Sequence, residues 1–180
     1  MKNQSITEAM LQFIEDSPTA FHAAANVEAL LLENGFEKLE NLAEGALVPG
    51  GSYYTMQNGS AVLAVKIPEN PAKGFRIAAS HSDSPCFKIK EVPEMKVENT
   101  YVKLNVEKYG GMILSPWLDR PLSVAGRVFV AGKDGKPEVK LVNLKKDLLI
   151  IPNVAIHFNR EINNGFAYNP QTDMAPLMGL

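Results

Sequence analysis

Three histidines, His22, His81 and His157, are the side chains of this sequence with the widest range of chemistry. His81 follows a short apolar segment and precedes Asp83 by two positions. In extended backbone the side chains at such positions leave the same side. The Asp83 carboxylate can then accept a hydrogen bond from one imidazole nitrogen and leave the other as a metal ligand. A purely structural His–Asp hydrogen bond is the competing interpretation, because so short a pattern also arises by chance.

His157 lies in residues 154–160, where apolar and polar residues alternate. The alternation predicts a strand with His157 and Asn159 on its polar face. With Arg160 close by, that face could bind an anion or a carboxylate, and a solvent-facing strand side is the alternative. His22 lies in a helical segment, where we expect a half-buried, structural histidine.

Cys86 is the only cysteine of the chain, which excludes a disulfide framework and any multi-cysteine zinc or iron–sulfur site within it. A packed thiol is the favoured interpretation. A small hydrolase that uses Cys86 and His81 is kept as a minor alternative. The Tyr109-Gly110-Gly111 turn lacks the other glycines of a phosphate loop, so no nucleotide site is predicted.

The length and composition restrict the class of protein. A chain of 180 residues predicts one domain, or one domain and part of another. Hydrophobic residues make up 46% and charged residues 21%, which favours a globular chain. The net charge is -2 without a dense run of Lys or Arg, so nucleic acid is not an expected partner. We see no signal peptide and no apolar run near the ~20 residues that span a bilayer, and therefore expect a cytoplasmic protein without membrane contacts.

Two helices are predicted at the start of the chain. Ser5 and Glu8 have capping-box spacing, and an apolar helical periodicity follows to about Asp16. A second helix is predicted with Ser17 as its N-cap and Pro18 as its first residue.

After the helices the apolar period changes to two, which predicts strands. Residues 52–56 and 60–67 flank Asn58-Gly59, the strongest short-range hairpin signal. Residues 75–79 are predicted as a central strand that ends just before His81. The other predicted strands are residues 101–107, 112–114, 126–131 and 139–144, the last two joined by a turn at 133–136. Apart from the alternation around His157, no element is predicted in residues 156–180.

Four stretches carry a resemblance to a known family. They are Phe13-Ile14-Glu15-Asp16-Ser17-Pro18-Thr19-Ala20-Phe21-His22, His81-Ser82-Asp83-Ser84-Pro85, residues 109–128 around Trp117-Leu118-Asp119-Arg120-Pro121-Leu122, and Ala155-Ile156-His157-Phe158-Asn159-Arg160. In this order the stretches resemble the N-terminal part of the aspartyl aminopeptidases. These are zinc metallopeptidases that remove N-terminal, often acidic, residues from peptides. The resemblance covers nearly the whole chain.

The resemblance implies roles for three residues. His81 matches the family's first metal-ligand histidine, and Asp83 matches the catalytic carboxylate that orients it. His157 matches a histidine that is either a metal ligand or a group that binds the substrate of a neighbouring subunit. The implied cofactor is Zn2+, in a two-metal site of the complete enzyme, with other divalent metals as alternatives.

The resemblance also implies a fold and an assembly. The fold is an α/β metallopeptidase domain, present as its N-terminal part in residues 1–91, with an inserted β-rich dimerisation domain, incomplete, in residues 92–180. A homo-oligomer, a dimer or a larger symmetric particle, would act on peptides. Family members are longer and carry further site carboxylates and a late histidine, so we expect a fragment that is inactive alone. The alternative is a non-catalytic binding or assembly module left by truncation.

The two implied roles of His157 make different geometric demands. A ligand must approach zinc to about 2.0–2.1 Å, yet the predicted domain boundary separates His157 from His81. We therefore expect the two histidines to lie far apart within one chain. His157 would then act across a dimer interface, by donating a hydrogen bond to the developing oxyanion or by anchoring the substrate carboxylate.

Overall fold

The chain contains both helices and strands, as expected for an α/β protein. The computed structural model describes residues 5–41, 47–70 and 74–179. Within these ranges no helix is long and apolar enough to cross a membrane. The helices are α1 (Ile6–Asp16) and α2 (Ala20–Glu33), and the strands are β1 (Glu37–Lys38), β2 (Ser52–Gln57), β3 (Ala61–Lys66), β4 (Cys86–Val97), β5 (Tyr101–Tyr109), β6 (Ala125–Ala131), β7 (Pro137–Asn143) and β8 (Leu177–Gly179).

The contacts of the chain group it into two compact units. The units are Met1–Asp83 with Ala125–Val142, and Ser84–Val124 with Asn143–Leu180. Residues 125–142 belong to the first unit, in which β6 contacts α2. This grouping differs from a single boundary after residue 91, because a contact between distant segments leaves no mark on local composition. The domains predicted at residues 1–91 and 92–180 stay a prediction.

Helix α1 begins and ends where the sequence predicts. Its N-terminus is a capping box, in which Ser5 Oγ accepts a hydrogen bond from Glu8 N–H at 3.2 Å and Ser5 N–H donates to Glu8 Oε2 at 2.9 Å. Such reciprocal bonds satisfy N–H groups that a helix start otherwise leaves without a partner.

Helix α2 begins later than predicted, because Thr19 and not Ser17 is its N-cap. Thr19 Oγ1 accepts a hydrogen bond from His22 N–H at 3.4 Å. Ser17 instead closes α1, where its N–H donates to the carbonyl of Ile14 at 3.2 Å. Both residue types are good N-caps, so the local sequence does not decide between them.

The first unit contains a three-stranded sheet in the order β1-β2-β3. Strand β1 runs parallel to β2, and β3 pairs with β2 as an antiparallel hairpin. The hairpin turns at Asn58 and Gly59, whose φ angles of 52° and 67° are the positive values that the Asn-Gly signal predicts.

A polar cluster joins α2 to this sheet. Tyr54 is 1% exposed and donates its hydroxyl to Glu28 Oε1 at 2.9 Å. Glu28 Oε1 also accepts a hydrogen bond from Lys38 Nζ at 3.1 Å. Burial and the Glu28 hydrogen bond raise the pKa of Tyr54, and the hydrogen bond to Glu28 raises the pKa of Lys38.

A second hairpin, formed by β6 and β7, also belongs to the first unit. It turns at the predicted position, where Gly132 N–H donates to the carbonyl of Lys136 at 2.9 Å. Arg127 of β6 lies over the ring of Phe21 at 4.1 Å and donates from Nη1 to the carbonyl of Asn58. This one guanidinium therefore contacts α2 and the β2–β3 turn together.

Residues 75–79, predicted as a central strand, do not form a strand. Phe75 is 88% exposed and Ile77 is 87% exposed. No strand of the described chain pairs with this segment. A strand needs a neighbour for its backbone N–H and carbonyl groups, and apolar composition alone does not reveal whether one is present.

The second unit is built on a sheet in the order β4-β5-β8. Its core contains Leu104, Val106 and Leu149. Strand β4 was not predicted, because Pro93 and interspersed charges hide it in the sequence. The β4–β5 register shifts between Ile89 and Glu94, where Pro93 lies, since proline has no N–H to give to the ladder.

Two further expectations about the second unit are wrong. The strand predicted at residues 112–114 is absent, and a short 3₁₀ helix, Ser115–Trp117, follows there instead. The segment after residue 156 does contain an element, because β8 pairs antiparallel with β5. A three-residue strand is too short to give a periodic signal and is defined by its partner.

Candidate functional site

His81 and Asp83 lie side by side at the end of the unpaired segment of the first unit. His81 Nδ1 is 2.7 Å from the backbone oxygen of Asp83 and 3.1 Å from its Oδ1. Both neighbours are acceptors when Asp83 is ionised, so Nδ1 carries the proton and donates to them. The lone pair of the neutral imidazole is then on Nε2, and this is the state in which histidine binds a metal.

The turn that holds this pair is open to solvent. The side chain of His81 is 80% exposed and that of Asp83 is 37% exposed. Between them, Ser82 Oγ donates to the carbonyl of Ser60 at 2.8 Å, which joins the turn to the β2–β3 hairpin. His81 Nε2 is therefore accessible to a ligand without any rearrangement of the hydrogen bonds behind it.

The described residues do not by themselves form a complete metal site. Among them there is no group of three or more His, Cys, Asp or Glu side chains that could hold a metal ion. A catalytic zinc usually has three protein ligands. His81 fits one ligand position by the chemistry of its free nitrogen, and Asp83 fits the carboxylate that orients it.

His157 does not lie in a strand, so the strand prediction from alternation is wrong for this segment. Residues 156–158 form a turn, in which Phe158 N–H donates to the carbonyl of Ala155 at 2.9 Å. Phe158 is 85% exposed and Val154 is 55% exposed. An alternating pattern specifies a strand only where one face is buried, and here neither face is. The side chain of His157 is exposed.

The segment before His157 is anchored by Asp119, a residue whose position the sequence did not reveal. Asp119 N–H donates to the carbonyl of Ile151 at 2.9 Å, and Asp119 Oδ1 accepts from Asn153 N–H at 2.9 Å. The hydrogen bond from Asn153 N–H to Asp119 Oδ1 spans 34 positions and has no local sequence signal.

The other two candidates have structural surroundings. His22 is half-buried with Nδ1 at 2.8 Å from Thr19 Oγ1, and burial lowers its pKa. The expectation of a half-buried, satisfied histidine is thus confirmed. Cys86 is half-buried at the start of β4, opposite Tyr109, a position that suits a packed thiol.

The two histidines of chemical interest belong to different units, His81 to the first and His157 to the second. The roles predicted for His81, Asp83 and His157, and the expected separation of the two histidines within one chain, stay predictions.

Comparison with known proteins identifies the family. The family model described as aminopeptidase I zinc metalloprotease (M18) matches residues 13–180. The chain belongs to the M18 aminopeptidase family. It is 47% identical to the probable M18 family aminopeptidase 2 of Clostridium acetobutylicum, over 100% of this chain and 42% of that protein. The protein of the same description from Pseudomonas putida is 40% identical, over 97% of this chain and 41% of that protein.

Solved structures of M18 proteins share the fold. The chain is similar to mApe1 of Chaetomium thermophilum, with a TM-score of 0.84 and 33% identity over 97% of this chain and 40% of that one. It is also similar to a chain in the complex of Ape4 and Nbr1, with a TM-score of 0.88 and 38% identity over 96% of this chain and 33% of that one. A third neighbour, at 25% identity and a TM-score of 0.79 over 97% of this chain and 38% of that one, is the mApe1 dodecamer of S. cerevesiae. In every case this chain spans less than half of the M18 protein it matches.

Proposed function

We propose that this chain forms part of a zinc aminopeptidase that removes N-terminal residues from peptides by attack of a metal-activated water. The observation that carries the proposal is the His81–Asp83 pair, in which Asp83 contacts Nδ1 of an exposed His81 side chain in a chain of the M18 family. Zinc would polarise the scissile carbonyl and lower the pKa of a bound water.

Within that site, the residues of this chain would orient a ligand. His81 would give one nitrogen to the metal, and Asp83 would hold the other nitrogen, fix the tautomer and increase the basicity of the ring. The remaining ligands, and a second metal if the site is binuclear, would come from parts of the protein beyond the described residues. This division is supported by the lack of a three-ligand group among the described residues and by the greater length of the relatives.

We propose that His157 binds the substrate in a neighbouring subunit, either by donating to the developing oxyanion or by anchoring the substrate carboxylate. Its exposed turn, close after the β-rich part of the second unit, supports this role. The dodecameric mApe1 supports an assembly of identical subunits. In that assembly, residues 92–180 would act as the inserted dimerisation domain that the resemblance implies. Zinc ligation by His157 is the alternative.

Two finer properties are proposed on the resemblance to aspartyl aminopeptidases alone. The preferred substrates would carry Asp or Glu at the N-terminus, and the 180-residue chain by itself would be inactive. A cytoplasmic location, expected from the sequence and not from the resemblance, stays a prediction.

The proposal is tested on the complete protein, meaning the product of the whole reading frame that encodes this chain. Zinc content and hydrolysis of an N-terminal-acidic peptide are measured for the native protein, for His81→Ala and for His22→Gln as a matched control. We expect His81→Ala to lose zinc and turnover while His22→Gln keeps both, because His22 Nδ1 bonds to Thr19 Oγ1 at the start of α2. Native zinc content and turnover in His81→Ala would refute the assignment.

A second candidate function is a binding or assembly module without catalysis. The specific observation in its favour is that the described residues contain no three-ligand group. Purified as it stands, the 180-residue chain should then not hydrolyse the peptide. Hydrolysis by this chain that a chelator abolishes would exclude the module and would also contradict its proposed inactivity.

A further inference from the structure

Asp119 has an unusual backbone conformation in the second unit. Its φ is +55°, in the left-handed region that residues with a Cβ rarely adopt. Aspartate and asparagine tolerate this region better than other residues, because their short polar side chains bond to nearby backbone. A conformation with this cost persists only where surrounding contacts impose it, so the contacts of Asp119 need an explanation.

Those contacts hold the chain on both sides of Pro152. On one side, Asp119 N–H donates to the carbonyl of Ile151 at 2.9 Å, and Ile151 is 0% exposed. On the other side, Asp119 Oδ1 accepts from Asn153 N–H at 2.9 Å. The first bond joins the Asp119 turn to a fixed point in the core. The second bond holds the start of the exposed segment that follows against the same turn.

From Asn153 to His157 the chain is ordered by bonds within the segment. Asn153 Oδ1 accepts from Val154 N–H at 2.9 Å, and the carbonyl of Ala155 accepts from Phe158 N–H at 2.9 Å. The bond from Asn153 N–H to Asp119 Oδ1 joins this run of local bonds to a distant part of the unit.

We propose that Asp119 is a positioning residue for His157: it fixes the start of the His157 turn through Asn153 N–H and thereby sets where the imidazole meets the substrate. This inference rests on the proposed substrate-binding role of His157. Both Asp119 and Asn153 are exposed, so the bond between them contributes little to the stability of the fold, because water competes for both groups. The bond instead sets the position of the His157 turn.

Two substitutions at one position separate the acceptor from the backbone. Asp119→Asn keeps an acceptor oxygen and tolerates positive φ, whereas Asp119→Gly keeps the backbone freedom and removes the acceptor. In the complete protein we expect Asp119→Asn to keep native kcat and Asp119→Gly to lower kcat by about 10- to 100-fold, the cost of a displacement near 1 Å. The zinc content and the thermal midpoint should stay native in both.

A double-mutant cycle with His157→Ala decides whether Asp119 acts through His157. If it does, Asp119→Gly combined with His157→Ala has the same kcat as His157→Ala alone. If the Asp119→Gly loss instead multiplies the His157→Ala loss, or if Asp119→Gly alone has native kcat, the positioning inference is overturned and the proposed role of His157 stands. Native kcat in His157→Ala overturns the role of His157 and the inference with it.

Should Asp119→Gly fail to fold, Asn153→Pro tests the same bond from its donor side, because proline has no N–H while Asp119 stays intact. Asn153→Ala, which keeps the N–H and loses the Asn153 Oδ1 bond to Val154 N–H, is the control. The expected loss of kcat and the expected cycle with His157→Ala are the same. Native kcat in a folded Asn153→Pro protein would overturn the inference.

Discussion

The segments that carry His81 and His157 are both exposed, but they are held in different ways. The His81 turn depends on its own neighbours, since the imidazole bonds to Asp83 and Ser82 bonds to the nearby hairpin. The apolar residues before it, Phe75 and Ile77, are almost fully exposed. The His157 segment is instead fixed to a buried point through Asp119.

The two segments therefore differ in how much of their support lies within this chain. The His157 segment has its supporting contacts within the second unit. The His81 segment has its orienting carboxylate but no strand neighbour among the described residues. We infer that the metal side of the proposed site is completed by other parts of the protein, whereas the His157 side is already formed here.

The largest expected effect concerns the metal side. Removal of zinc from the complete protein with a chelator should reduce hydrolysis of an N-terminal-acidic peptide to the rate without enzyme, because the attacking water is no longer activated. Added zinc should restore the native protein and leave His81→Ala inactive. Full turnover in protein shown to be metal-free would contradict the account.

The next largest effect is expected from His157→Ala, which tests whether His157 binds the substrate while His81 binds zinc. We expect His157→Ala to lower kcat by about 10²–10³-fold, the usual cost of losing a donor to an oxyanion, with zinc content unchanged. His157→Gln keeps an N–H donor and should recover part of the loss. Loss of zinc in His157→Ala would show that His157 is a zinc ligand, the same role that is proposed for His81.

A smaller effect is expected behind His81. Asp83→Ala should weaken zinc binding by about 10-fold, at the low end for such partners, because the backbone oxygen of Asp83 still accepts from His81 Nδ1. Asp83→Asn, which retains an acceptor, should lie between Asp83→Ala and the native protein. Zinc affinity is measured by competition with a chelator, and native affinity in Asp83→Ala would show that the carboxylate does not support the ligand.

The stability of the first unit offers a further test. Burial raises the pKa of Tyr54, and Glu28 raises the pKa of Lys38. Folding therefore favours the protonated forms, so their contribution is complete below about pH 10 and is lost as pH rises above it. Tyr54→Phe should lower the thermal midpoint by a few degrees at pH 8 and reduce the alkaline loss. Tyr101→Phe, at a 42% exposed position, should change neither.

The smallest effect concerns His22. Burial lowers its pKa in the folded protein, so the unfolded chain binds more protons near its own pKa of about 6.5. The contribution of His22 to stability is therefore present above that pH and lost as pH falls below it. His22→Gln should flatten the dependence of the thermal midpoint between about pH 5 and 7. The same slope in both proteins would show that His22 does not cause it.

Local signals in the sequence were enough for several elements. The Ser5–Glu8 capping box and the Asn58-Gly59 turn involve residues a few positions apart, and the structure has them as predicted. Asp83 could also be placed beside His81, because the two residues are only two positions apart in the chain.

Contacts between distant segments were beyond the sequence. The composition of residues 75–79 predicts a strand, but the segment has no partner strand in the described chain and does not form one. Strand β8 and the Asp119–Asn153 bond depend on residues far away in sequence. A sequence pattern indicates which structures a segment can form, and its contacts with other segments determine which one it forms.

The central claim is that His81 is a zinc ligand held by Asp83. Its most direct test is a crystal structure of the complete protein with anomalous data at the zinc edge. We expect an anomalous peak at about 2.0–2.1 Å from His81 Nε2, with Nδ1 still bonded to Asp83. A zinc site in which His81 is not a ligand would contradict it.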